Sequence, residues 1–411
     1  MTSALMLPIS GFAEGVVPEP QSLLVVDGYY AAYPKTSPGV DAAEDALIQR
    51  GEYLSKAGDC IACHTNVEGH VPAYSGRLPI ATPFGTFYSP NITPDNETGI
   101  GLWTEADFVR ALKEGHGPNG KNYFPVFPFV PFANISDEDD RALYTYFRHI
   151  PAVHLENRSL PFPFSLPGAR FTLWGWNLLF YYPNTTFTPD PAQSSEWNRG
   201  KYLVDGLGHC SMCHTPLNPL GSPMSRYYLS GGFIDGYWAP SINKAGLEGI
   251  GIEEIADVFA KNQLLNQAGP AAGPMSEVNH DSLRYLTRDD QLAIATYLKT
   301  VESEDKYALP PSNEAPNLRR GKQVYTQVCS ICHQRGEMSA PIIGIAANWY
   351  QRAQQSGMDG LYQHAIKGYN SMPIKGACVS CSDNDIKAAV DYILESSLTH
   401  AQRINLGRGQ K

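Results

Sequence analysis

Apolar residues recur at helical spacing in two sets of three segments. The first set reads "RGEYLSKAGDC" from Arg50, "RGKYLVDGLGHC" from Arg199 and "RGKQVYTQVC" from Arg320. Each has Arg-Gly and then apolar residues on one helix face, which predicts a helix start at each. The second set reads "SDEDDRALYTYFRHI" from Ser136, "TRDDQLAIATYLKTV" from Thr287 and "SDNDIKAAVDYIL" from Ser382. Each opens on Ser or Thr with acidic residues behind it, which cap free N–H groups and suit the helix dipole. Each then places an Ala and an aromatic residue at helical spacing.

These pairs of opening and closing helices divide the chain into three repeats. Unit one runs over 45–155, unit two over 195–303 and unit three over 316–398, with an N-terminal segment 1–44 and a tail 399–411. Units one and two share a further segment, "SPNITPDNETGIGLWTEADFVRAL" from Ser89 and "APSINKAGLEGIGIEEIADVFAKN" from Ala239. Both read as a Pro/Asn-rich loop, a Gly-Ile-Gly turn and an amphipathic helix; unit three lacks this and is shorter. The second linker, 304–315, is polar and Pro-rich, and its composition predicts an extended chain. The first linker, 156–194, carries "LPFPFSLPGARFTLWGWNLLFYYP". So many aromatic residues predict packing over units one and two. A partner-docking patch or a membrane-surface contact is the sharper alternative.

Composition narrows the class. The 411 residues suffice for two to four domains, and 43% hydrophobic residues supply a core. Gly 37 and Pro 32 predict compact units with turn-rich connections. A net charge of −10 argues against a nucleic-acid binder. From residue 311 on, 11 Lys and Arg stand against 7 Asp and Glu, a net of +4, so the preceding residues carry −14. That asymmetry reads either as separate docking faces or as ordinary surface drift. No run of about 18 or more apolar residues predicts a membrane-spanning helix. The start, "MTSALMLPISGFAEG", has a short apolar stretch and a small-residue site near Ala13 but no basic region. It reads as the tail of a signal peptide whose start is missing, or as a disordered end.

The cysteines carry the chemistry. Six of the eight fall in three C-x-x-C-H motifs: Cys60, Cys63 and His64; Cys210, Cys213 and His214; Cys329, Cys332 and His333. The motif reads as c-type haem attachment. Two thiols two residues apart reach the two vinyl groups on one porphyrin edge, and the next His lies under the iron. A thioredoxin-like pair does not need the trailing His, and a zinc site would usually join two such motifs in one cage. Cys378 and Cys381 have no following His. Haem c attachment implies an oxidising, extracytoplasmic compartment, so this pair reads as a small structural disulfide, with a free reactive pair as the alternative.

These residues resemble the multihaem cytochrome c subunits of bacterial periplasmic dehydrogenases. The resemblance rests on "WNRGKYLVDGLGHCSMCHT", on the two Pro/Asn-loop segments and on "GPMSEVNHDSLRYLTRDDQLAIATYLK". Unit three is similar to the short monohaem cytochromes of the c-five type, through "NSMPIKGACVSCSDNDIKAAVDYIL". The resemblance implies an all-α chain of three tandem class I cytochrome c domains joined by Pro-rich linkers. In each, the closing helix would pack across the opening one, with the Ala and Tyr at the crossing. It also implies three covalently attached haem c groups and a periplasmic location, on the inner membrane's periplasmic face if the protein is peripheral. The partner would be a dehydrogenase catalytic subunit with a flavin, quinone or molybdenum cofactor. The acceptor would be a quinone, a small cytochrome or a terminal oxidase.

A Met opposite the His raises the haem potential and closes the iron to outside ligands. Unit three offers Met372, 39 residues after His333, and unit two offers Met275, 61 residues after His214. Met338 and Met358 lack that loop context, and Met224 is a weaker alternative in unit two. Unit one contains no methionine, and "PVFPF" puts Phe127 in the slot where related cytochromes carry Met. Three readings stay open for its iron. His116 could ligate; a ligand could come from Met224 or the N-terminal segment; or the site is open and shielded by Phe127. His70, His149 and His154 are less well placed. The function classes are therefore an electron relay for a partner dehydrogenase, a haem enzyme with an open first site, and a free soluble carrier.

Overall fold

The helix ends follow from local hydrogen bonding. The computed structural model describes residues 32–118, 120–166, 168–181, 187–234, 237–265, 271, 273–305, 315–378 and 381–406. The possible signal remnant up to residue 31, most of the second linker and the last five residues lie outside the described residues. The closing helices are Asp137–His149, Arg288–Leu298 and Asp383–Ser397. Their caps are those expected: Ser136, Thr287 and Ser382 accept from the backbone N–H of Asp139, Asp290 and Asp385. The opening helices begin earlier than the Arg-Gly pairs. They span Ala42–Ala57, Ser195–Asp205 and Leu318–Val324, capped by Asp41, Ser194 and Asn317. Arg-Gly therefore lies inside each helix, where a glycine is normally unfavourable.

The helix crossing explains that glycine. A Cβ on Gly51 would lie 2.0 Å from Ala142 O, one on Gly200 would lie 1.9 Å from Ala293 O, and one on Gly321 would lie 2.0 Å from Ala388 O. Four residues after each Ala, the Cβ of Tyr146, Tyr297 or Tyr392 closes the same crossing, at 2.6 to 3.0 Å. Beside it, Arg50 pairs with Asp139, Arg199 with Asp290 and Arg320 with Asp385. All three Asp sit in the first turn of a closing helix, where the dipole also favours them.

Units one and two do not keep separate cores. One apolar cluster runs from Ile48 to Val301 through both, whereas Val324 to Leu398 form a second cluster in unit three. The pairing of units one and two is reciprocal. Tyr53 OH donates to Asp290 Oδ2 at 2.5 Å, and Tyr202 OH donates to Asp139 Oδ2 at 2.6 Å. The same hydroxyls accept from the backbone N–H of Thr287 and Ser136. Each unit thus places the Tyr of its Arg-Gly-x-Tyr on the partner unit's cap, as an isologous pair would. Unit three has Gln323 at that position.

This interface carries a pH dependence. Burial raises the Asp290 carboxyl, but hydrogen bonds from Arg199 and Tyr53 outweigh it and hold the group below the usual carboxylate range. A depressed folded-state value means the stabilisation is full above the unfolded value, about 3.9, and is lost as pH falls through the folded one. Thermal melts of units one and two should fall in that acid window, and Asp290→Asn should flatten the slope there. An unchanged slope would contradict this role for Asp290.

The all-α expectation needs two amendments. Units one and two each carry a two-stranded antiparallel hairpin, Pro79–Thr82 with Gly85–Tyr88 and Gly232–Ile234 with Tyr237–Ala239. In the first, Thr82 Oγ1 donates to Gly85 O, and Gly85 takes φ 114°, which suits glycine at the turn. Unit three instead has a helical stretch, Ala346–Lys367, broken at Gly357 with φ 63°.

The first linker divides its aromatic residues between two faces. Phe164 packs on Phe87 and Phe124, while Trp176 packs on Phe129 and donates to Leu220 O at 2.9 Å. Phe171, just before the helix Thr172–Phe180, and Trp174, Leu178 and Leu179 along it face solvent. Among the described residues no helix is long and apolar enough to cross a membrane.

Candidate haem-binding sites

Each C-x-x-C-H motif begins where an opening helix runs out. In unit one the helix stops at Gly58, Asp59 turns left-handed at φ 51°, and Cys60–Cys63 form one short turn. In unit two His209 takes the same place at φ 35°, ahead of Cys210 and the turn Ser211–His214. In unit three a π-type turn, Tyr325–Cys329, leads straight into Ser330–His333. The left-handed residue thus marks the two paired units.

The three histidines are buried and oriented alike. Nδ1 of His64 meets Pro90 O at 2.8 Å, that of His214 meets Pro240 O at 2.7 Å, and that of His333 meets Pro341 O at 2.8 Å. A carbonyl can only accept, so Nδ1 carries the proton and Nε2 keeps its lone pair. Burial pushes all three imidazoles below their usual range, against the opposing pull of the carbonyl. Each is thus held neutral, the form that ligates a metal. The proline carbonyls were not anticipated from sequence; the Pro in "SPN", "APS" and "SAPII" is the signal that could have found them.

The thiols are not those of a redox pair. Burial pushes Cys210 and Cys329 up to about 12 and Cys213 up to about 11. A thioredoxin-like nucleophile needs the opposite shift. Among the described residues no group of three or more His, Cys, Asp or Glu side chains converges on a metal-sized site.

The distal side differs by unit. A cavity of about 1440 Å³ is lined by Cys210, Cys213, His214 and Met275, and also by Cys329, Cys332, His333 and Met372. Mainly apolar side chains complete it, including Phe259, Ile294 and Ile393. Such a cavity, with two thiols, an oriented imidazole and a thioether on its walls, fits a covalently held haem in each unit. Met275 follows Pro274 at the start of the helix Pro274–Asp281. Met372 is pinned by a reciprocal backbone pair with Tyr369, at 2.9 and 3.0 Å. Cys378 and Cys381 are joined by a disulfide five residues beyond Pro373, and Lys375 Nζ donates to Cys381 O. Met338 lines the same cavity, but on a left-handed, solvent-exposed turn.

Cys60, Cys63 and His64 are not on the walls of that cavity. Phe127 is half-buried, its ring 6.0 Å from Tyr123 and 5.7 Å from Phe132. Phe132 in turn stacks edge-on against His209, 5.6 Å away, beside Cys210. His70, His149 and His154 point Nδ1 at Glu68 O, Thr145 O and Asp95 respectively. His116 differs: its Nδ1 is buried without a hydrogen bond, 4.0 Å from a Glu114 carboxylate oxygen. It sits on a loop bridged to Asn122, between the helix Glu105–Glu114 and Tyr123.

Helix pairs crossing at a glycine, each ending in C-x-x-C-H with an oriented histidine, define a c-type cytochrome. Residues 316–393 match the family model described as cytochrome c oxidase, cbb3-type, subunit III. The chain is 38% identical to the gluconate 2-dehydrogenase cytochrome c subunit of Pantoea cypripedii, over 74% of each protein. It is 40% identical to a nicotinate dehydrogenase subunit of Pseudomonas putida over 74% of this chain, and spans 26% of that longer relative. The chain is also 42% identical to cytochrome c5 of Azotobacter vinelandii over 73 residues, 18% of this chain and 88% of that protein. The chain belongs to the family of cytochrome c subunits of dehydrogenase complexes, and is an electron-transfer protein.

Proposed function

We propose that the chain is the trihaem electron relay of a periplasmic dehydrogenase complex. The observation that carries this is the threefold repetition of one arrangement: a C-x-x-C pair at a helix end, then a histidine whose Nδ1 is locked by a proline carbonyl. Haem c, when bound, supplies a one-electron Fe(III)/Fe(II) couple. The chain's own residues do the rest. Cys60 and Cys63, Cys210 and Cys213, and Cys329 and Cys332 would hold the porphyrin covalently. His64, His214 and His333 keep the Nε2 that would ligate the iron. Met275 and Met372 would close the second and third sites, and the apolar cavity walls would exclude water. The relatives' names supply the donor class, a dehydrogenase catalytic subunit, and gluconate and nicotinate dehydrogenases are among them. The exposed face of Phe171, Trp174, Leu178 and Leu179 is where that donor or the periplasmic membrane face would bury apolar area. The net of +4 from residue 311 on suits electron exit toward an acidic acceptor. Quinone, a small cytochrome and a terminal oxidase are the acceptors to assay. The test is to isolate the complex and add the catalytic subunit's substrate: the ferrous haem bands should develop within turnover. The isolated chain should show none. A chain that oxidises a small molecule unaided would instead be an enzyme.

The first site carries a second reading. Its Met slot holds Phe127, and His116 has a buried Nδ1 that makes no hydrogen bond. We assign His116 as its sixth ligand, with an open, reactive iron as the competitor. His116→Ala should convert one low-spin haem of three to a high-spin form that binds carbon monoxide. If the wild type already binds carbon monoxide at that site, the open form is right and His116 is not a ligand.

A further inference from the structure

Unit three cannot dock as units one and two do. Their pairing uses Tyr53 and Tyr202, and the corresponding residue of unit three is Gln323. Yet the second and third sites open into one cavity, so something else must hold unit three in place.

The hairpin Gly232–Ile234 with Tyr237–Ala239 supplies that contact. On its own side it is tied to the second motif. Gly231 N–H donates to His214 O at 2.8 Å, and Gly232 is so close that a Cβ would lie 2.6 Å from Cys213 O. From this hairpin Tyr237 reaches unit three. Its hydroxyl donates to Glu337 Oε1 at 3.1 Å, and the Arg335 guanidinium lies over its ring, 4.3 Å from the centroid. Arg335 and Glu337 lie two and four residues after His333, and Gly336 N–H donates to Cys332 O at 3.0 Å. Tyr237 also bears on the Met loop of its own unit: a Cβ on Gly273, two residues before Met275, would lie 2.7 Å from its ring. One side chain, 8% exposed, thus touches the Met275 loop and the loop after the third motif, from a hairpin anchored on the second.

We propose that Tyr237 is a positioning residue that, with Arg335 and Glu337, holds the second and third sites face to face and so sets the rate of electron exchange between them. In that exchange one site loses an electron as the other gains it, with no bond made or broken. The inference rests on the reading of these two motifs as haem sites. Of the two contacts, the hydrogen bond to a carboxylate is the stronger. Together with the cation–π contact it biases docked over undocked arrangements by about tenfold or more.

The test uses the full-length holoprotein. Haem content and the individual midpoint potentials are measured first. Magnetic coupling between the second and third irons, by electron paramagnetic resonance, follows. The exchange rate after rapid photoreduction comes last. Tyr237→Ala should weaken the coupling and slow exchange by about tenfold or more at unchanged haem content, beyond what any measured shift in the two midpoint potentials accounts for. Tyr237→Phe, which keeps the ring, should fall between. A merely structural role would lower haem content or melting temperature and leave exchange intact in the folded fraction. If Tyr237→Ala fails to load haem, Glu337→Ala carries the test, because its side chain belongs to neither core. Wild-type coupling and exchange in Glu337→Ala and Tyr237→Ala alike would overturn the proposal. A holoprotein without haem at one of the two motifs would overturn the functional reading too, and the haem count alone would reveal it.

Discussion

Gly321→Ala should destabilise unit three while leaving units one and two intact. An alanine in a helix interior normally gains about 1 kcal/mol over glycine. Here its Cβ would lie 2.0 Å from Ala388 O and 2.6 Å from that residue's carbonyl carbon. Both are backbone atoms of the closing helix, so no side chain can swing away. Overpacking of this kind costs about 3 kcal/mol, the upper end of its usual range. The steric cost exceeds the propensity gain, and a net loss of about 2 kcal/mol or more is a large share of a small domain's stability. Unit three has its own apolar cluster, so calorimetry should show one transition moved down and split from the rest. Gly200→Ala should behave differently. Its Cβ would meet Ala293 O at 1.9 Å, and its unit shares a core with unit one, so both should melt together. A single unshifted transition in Gly321→Ala would contradict the crossing geometry.

Met275→Ala and Met372→Ala should each lower the midpoint potential of one haem and leave haem attachment intact. A thioether opposite His stabilises the reduced iron, and axial ligands govern a span of about 0.8 V across haem proteins. Loss of one Met should cost on the order of 0.1–0.3 V of that span. The two shifts should fall on different haems, because Met275 shares its wall with His214 and Met372 with His333. Spectroelectrochemical titration of the two variants checks this. A full set of unmoved midpoints would show that neither Met ligates.

What the sequence made legible was local. Caps at Ser136, Thr287 and Ser382 depend on two or three neighbouring residues, and they lie where the pattern put them. The helical spacing of the Ala and Tyr was legible for the same reason, and their place at the crossing was what the family resemblance implied. The helix starts were misplaced because Arg-Gly is a crossing signature. The capping residue Asp41 lies nine residues ahead of Arg50. The hairpins were missed because three- and four-residue strands leave almost no alternation to read. An Asp-Gly pair between Ile234 and Tyr237 was nonetheless a turn signal. The long helical stretch of unit three was hidden by a polar run and by Gly357, although Trp349, Ala353, Leu361 and Ala365 mark its buried face.

The non-local part of the site was not legible. Tyr53 and Tyr202 read as ordinary helix residues until the partner unit's Asp290 and Asp139 are set beside them. The proline carbonyls behind His64 and His214 come from 26 residues further along the chain. The shared cavity of units two and three depends on a docking that no single repeat encodes. The first site shows the limit from the other side. Its missing methionine is plain in sequence, and the structure adds the buried Nδ1 of His116, which makes no hydrogen bond.

The central claim is that each of the three C-x-x-C-H motifs carries one covalently attached haem. The direct measurement is the haem c content per polypeptide, taken by pyridine haemochrome absorbance together with the intact mass of the purified chain. Three haems per chain are predicted, falling to two when Cys329 and Cys332 are both replaced by alanine. A wild-type chain with two haems or fewer, or one whose count survives that replacement, would contradict the account.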